Sequence, residues 1–187
     1  MEFFIATQSA PGSIEGKAIR LFTEARCTPP WVLGPAHPCT HAFVLWTHQE
    51  TDQLYGYRLD GESPHARMDD LHPPVHPTAY WRLDGNRVDL RAARARALDL
   101  DGAVYDGLEL VLQALPGLEM VDVVKRAMIC TGVVRAVLFA AGGPARELAS
   151  GLKSLFPEYL ARALAQRAGG DVGSGAWLSR IEYPGAR

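Results

Sequence analysis

Phe3 to Thr7 is a short, largely apolar run, and apolar residues recur with weak alternation from His41 to Trp46. Short runs of this kind, rich in β-branched and aromatic residues, predict strands. Thr47 to Asp52 is a polar turn, and Gln53 to Arg58 reads as the returning strand of a hairpin. Ala79 to Leu83, with Tyr80 and Trp81, predicts a third strand, and Trp177 to Tyr183 a last one. Between the first two strands, Ser9 to Ser13 is a turn, and Ser13 caps a helix with Ile14, Ala18, Leu21 and Phe22 on one face. Thr28 to Pro38 and Gly61 to Pro77 are proline-rich loops.

The second half changes period. Val88 to Leu100 is rich in Arg and Ala and predicts a solvated helix ended by Gly102. Tyr105 to Leu115 predicts an amphipathic helix stopped by Pro116-Gly117. Ile129 to Ala141 is apolar nearly all round, so this helix is expected to be buried. Gly142-Gly143-Pro144 stops it, and Pro157 starts a further helix over Glu158 to Arg167. Helices with a small antiparallel sheet make an α+β arrangement. No repeat or low-complexity linker divides the chain, so residues 1–187 are expected to form one domain.

Composition narrows the function classes. The chain has 187 residues, 48% hydrophobic and 21% charged, the balance of a globular protein. A net charge of -2 provides no basic footprint, so no nucleic-acid partner is expected. The longest apolar run, Val133 to Gly143, is interrupted by Arg135 and falls short of the roughly 20 residues of a membrane span. Met1 to Thr7 carries Glu2 and no Lys or Arg, a poor signal peptide. A cytoplasmic location, or export by a signal-independent route, is the expectation. Three cysteines, Cys27, Cys39 and Cys130, are an odd count that argues against a disulfide framework.

Cys130 starts the apolar helix. There, backbone N–H groups and the helix dipole favour a thiolate and can hold an oxyanion. His41 opens a strand, and a strand histidine facing such a cysteine makes a thiol–imidazole pair. The bland alternatives are a buried helix cysteine and a partly exposed strand histidine. The other histidines, His37, His48, His65, His72 and His76, lie in loops. Cys27, His37, Cys39 and His41 contain no close Cys-x-x-Cys pair, so no metal and no cofactor is expected.

With these two residues placed, the order of segments resembles the permuted papain-like hydrolases, the YiiX-like branch of the NlpC-type cysteine peptidases. In that branch the histidine strand precedes the cysteine helix. Ser13 to Thr23 is similar to the helix before the histidine strand, and Thr40-His41-Ala-Phe-Val-Leu45 to the Ser-His-hydrophobic strand. Gly102-Ala-Val-Tyr105-Asp106 resembles a Gly-x-x-Tyr-Asp helix start. Ile129-Cys130-Thr131-Gly132-Val133-Val134 resembles the Cys-Ser-Glu-Leu-Val helix, with Ala140-Ala-Gly142 as its ending. Phe156-Pro157-Glu-Tyr-Leu160 resembles the helix start that often follows.

The resemblance implies a circularly permuted papain-like fold, with a small antiparallel sheet packed against the buried cysteine-bearing helix. It implies Cys130 as nucleophile and His41 as general base, with Tyr105 and Asp106 supporting them. A peptide or peptidoglycan-like substrate follows from it, in a bacterial effector or phage-derived setting with an immunity or secretion partner. Two departures stand out. Thr131-Gly132 replaces Ser-Glu after the cysteine, and the returning strand has no carboxylate to orient His41. Gln53, Tyr55, Tyr57 or a backbone carbonyl is left for that role. The alternatives are a lipid-directed acyltransferase or thioesterase, with an apolar channel under Gly61 to Pro77, and a binding module without catalysis.

Overall fold

A computed structural model describes residues 1–9, 39–47, 54–58, 67–70, 78–105, 127–152, 157–170 and 176–183. The expected Ser13 helix, the Thr28 to Pro38 loop and most of the Tyr105 to Leu115 helix lie outside these residues.

Strand β1, Phe3–Gln8, is central and buried along its whole length, and its first four residues are an unbroken apolar run. It pairs antiparallel with β2, His41–Thr47, on one side and with β5, Thr78–Leu83, on the other. Beyond β2 lie β3, Leu54–Arg58, and β4, Arg67–Asp70, and β8, Leu178–Ile181, closes the β5 edge. The resulting sheet has the order β4-β3-β2-β1-β5-β8, antiparallel throughout. Strand β4 falls inside the segment expected to be all loop. Its residues, Arg-Met-Asp-Asp, carry no apolar alternation, and pairing with β3 alone makes them a strand.

Four helices occur among the described residues: α1, Leu90–Asp99; α2, Cys130–Ala141; α3, Gly143–Gly151; and α4, Pro157–Gly170. None is long and apolar enough to cross a membrane. Two short strands, β6, Val104–Tyr105, and β7, Ala127–Met128, pair in parallel. Tyr105 therefore belongs to a strand, not to the start of the expected helix.

The pleat sorts the sheet into two faces. Phe3, Ile5, Ala42, Val44, Trp46, Trp81 and Leu83 pack with Val133, Val134, Val137 and Leu138 of α2. Phe4, Ala6, Phe43, Leu45 and Tyr80 form a separate cluster on the other side. Successive side chains of a strand point to opposite faces, so register alone produces this partition. Helix α1 is capped by Asp89, whose carboxylate accepts from the N–H of Arg91 and of Ala92, each at 2.9 Å. It turns Ala93 and Ala97, both fully buried, toward the core, and small residues there allow close approach to α2.

The Gly142-Gly143-Pro144 stop does end α2, but α3 starts at once. Gly142 has φ 70° and ψ -170°, a region open essentially to glycine alone. Pro144, in the first turn of α3, then suits a new helix start. Gly143 has φ 50°, and a Cβ there would lie 2.9 Å from the Arg87 carbonyl oxygen. Gly143→Ala is expected to cost about 2 kcal/mol or more, since left-handed strain alone costs roughly 1–2 kcal/mol. That lowers Tm by about 4–8 °C for a chain of this size. An unchanged Tm in thermal denaturation would show that the Arg87 turn and the α2–α3 corner are not in contact.

Candidate active site

Cys130 is the first residue of α2 and is 4% exposed. Ile129 precedes it in extended conformation, φ -88° and ψ 165°, and supplies no side-chain cap. The first intrahelical bond runs from Val133 N–H to Ile129 C=O at 3.1 Å. Thr131, fully buried, follows. The two residues of β7 deliver the chain to this point, and their pairing with β6 sets Tyr105 opposite Met128. The Tyr105 backbone thus lies beside the strand that ends two residues before the cysteine. Asp106 is outside the described residues.

His41 is the first residue of β2 and is half-buried. Helix α2 packs on β2, so the elements carrying the two candidate residues are in contact. The His41 side chain, however, shares the pleat of Phe43 and Leu45. Its ring centroid lies 5.9 Å from that of Phe43, with the planes inclined by 32°. Cys130 belongs to the cluster of Ala42, Val44 and Trp46, on the other face. The strand also sets His41 opposite Gln8, and Gln8 opposite Thr78 in β5. The structure thus joins strand to helix and turns the imidazole to the face away from α2. Of the residues considered for orienting His41, Tyr55 pairs with Trp46 and Tyr57 with Val44 in backbone register. Gln53 lies outside the described residues.

A second thiol stands at the same end of the sheet. The Cys39 N–H donates to Glu158 Oε2 at 2.9 Å, a tie across 119 residues to the first turn of α4. Glu158 is 5% exposed, and its other oxygen accepts from Arg162 Nε at 2.9 Å. This charge-assisted pair compensates for burying the carboxylate. Burial pushes the Cys39 thiol above the ordinary cysteine range. The Thr7 hydroxyl pulls it down, the Glu158 carboxylate pushes it up and the Ser9 hydroxyl pulls it down, each by less than burial. The sequence showed Cys39 as one of three thiols and as one of four residues weighed for a metal, and it gave no sign of the tie to Glu158 because that partner is far along the chain. Neither Cys39 nor Cys130 is in a disulfide.

A raised value leaves less thiolate at neutral pH, so alkylation of Cys39 is slow there. In a Cys130→Ala background, the iodoacetamide rate at Cys39 is expected to keep rising beyond about pH 9. Glu158→Gln removes the anion and shifts that profile downward. Fast labelling of Cys39 at neutral pH would contradict its placement.

No family's sequence model matches the chain, and no curated protein or solved structure matches it.

Proposed function

We propose that the chain is a cysteine hydrolase of the permuted papain-like, YiiX-like type. It cleaves an amide bond of a peptide or cell-wall peptide, with Cys130 as nucleophile and His41 as base. The observation that carries this reading is the position of Cys130. It opens a buried apolar helix, directly after a short strand, against the strand that His41 begins. The order of histidine strand, Tyr105 segment and cysteine helix supports it as well.

In this mechanism the Cys130 thiolate attacks the carbonyl carbon. N–H groups at the start of α2 hold the oxyanion. His41 protonates the leaving amine as the C–N bond breaks, and water then releases the acyl group from sulfur. For this, the His41 imidazole must reach the α2 face of the sheet from the opposite face, where its ring lies beside Phe43.

The face on which the His41 ring lies favours a second reading, a binding module that keeps the fold and carries no dyad. Wild type, Cys130→Ala and His41→Ala should be assayed against peptidoglycan-derived peptides and short acyl esters. The hydrolase predicts amide turnover that both substitutions remove. Ester turnover without amide cleavage reassigns the site to acyl-transfer chemistry. No turnover of either kind, with Cys130 alkylated no faster than Cys39, establishes the binding module.

A further inference from the structure

A cleft of about 1170 Å³ opens at the far end of α2, between the 84–89 turn, one face of α1 and the start of α3. Cys130 stands at the opposite end of the same helix, about 16 Å away along its axis. The cleft is therefore separate from the thiol site and rests on none of its chemistry.

Its charge is unbalanced. Arg87, Arg91 and Arg94 line it against Asp89 alone, on a chain whose net charge is -2. The Asp89 carboxylate is already engaged in capping α1 through Oδ1. Elsewhere Arg82 pairs with Glu2, Arg96 with Asp99 and Arg162 with Glu158. Among the described residues none of the three cleft arginines has an ion-pair partner. Arg91 and Arg94 are three apart in α1, so they share one helix face.

The turn that brings in Arg87 is rigidly built. Asp84 Oδ1 accepts from the Asn86 N–H and from Asn86 Nδ2, each at 3.0 Å. The Asp84 carbonyl accepts from Arg87 N–H at 3.0 Å and from Val88 N–H at 3.2 Å, and Val88 is buried. The absence of a side chain at Gly143 lets α3 start against the Arg87 carbonyl. Asp89 N–H donates to the Ala141 carbonyl at 2.8 Å, which ties the turn to the end of α2. Leu90, Ala95 and Leu98 add an apolar wall, and Leu98 is 41% exposed.

We propose that this cleft binds a phosphate-bearing ligand. Guanidinium forks match phosphate oxygens in bidentate geometry. A surplus of two positive charges matches a phosphate dianion better than a single carboxylate. The apolar wall takes the uncharged body of the ligand.

The test is calorimetric titration of the full chain with inorganic pyrophosphate. Wild type is compared with the Arg91→Gln/Arg94→Gln double variant, and with Arg167→Gln and Arg180→Gln as exposed-arginine controls. Saturable binding is expected in wild type, at least about 10-fold weaker in the double variant and unchanged in the controls. No saturation at millimolar pyrophosphate overturns the proposal. So does equal weakening in the controls, which would mean diffuse charge attraction. A polyglutamate peptide that binds through Arg91 and Arg94 where pyrophosphate does not also overturns it, and makes the cleft a protein-docking site.

Discussion

In the proposed hydrolase, replacing Cys130 by alanine is expected to reduce amide hydrolysis by about 10³-fold or more while leaving the protein folded. The size of the loss follows from the route. In the proposed route the acyl group is transferred to sulfur, and without sulfur no covalent intermediate forms. The small structural cost follows from the position. Alanine is the best helix former, and only one sulfur atom leaves a packed site at the helix start. Kinetics and Tm measured on the same preparation separate the two effects. His41→Ala is expected to lose about 10²- to 10⁴-fold, the range of a general acid–base group. Undiminished turnover in Cys130→Ala ends the thiol mechanism. Undiminished turnover in His41→Ala alone reassigns the base and agrees with the ring lying beside Phe43.

Phe3→Ala is expected to be the most damaging of the simple core truncations, at about 3–5 kcal/mol. Phe3 is fully buried in the central strand and pairs in register with Trp46. The two rings stack at 5.8 Å with planes 11° apart, a contact worth roughly 0.5–1.5 kcal/mol beyond area burial. Neighbouring strands hold the backbone on both sides, so the site cannot collapse to fill the gap. Phe139→Ala makes the same chemical change on α2 with a different result. Phe139 is 48% exposed, and the Arg146 guanidinium lies over its ring, 4.8 Å from the centroid. That cation–π contact is worth about 0.5–1 kcal/mol. Urea unfolding of the two variants measures the difference, and equal losses would refute the burial argument.

Much of the local structure was legible from the residues. The runs at Phe3, His41 and Ala79 became β1, β2 and β5, because strand formers in short apolar runs leave few alternatives. Ile129 to Ala141 became α2 with Ile129 as its cap residue, and Pro157 opened α4. The antiparallel hairpin of β2 and β3 also followed from its polar turn and returning strand. Helix α3 was missed because Gly142-Gly143-Pro144 reads as a stop, whereas the same residues can end one helix and begin the next. Strand β4 and the β6–β7 pair were missed because their residues carry no periodicity of their own.

The sequence by itself determined where β1, β2, β5 and α2 of the core lie and that Cys130 begins an apolar helix. It also determined that His41 and Phe43 share one pleat, because side-chain direction alternates strictly along a strand. Which pleat faces α2 was decided only by the tertiary structure. That choice depends on which face of β2 the helices cover, and here they cover Ala42, Val44 and Trp46. The strand order, the Cys39–Glu158 tie and the gathering of Arg87, Arg91 and Arg94 into one cleft were settled the same way. The first two join residues that no local propensity connects, and the cleft needs the Arg87 turn and the start of α3 beside the arginines of α1, so all three exist only when the sheet and its helices are assembled.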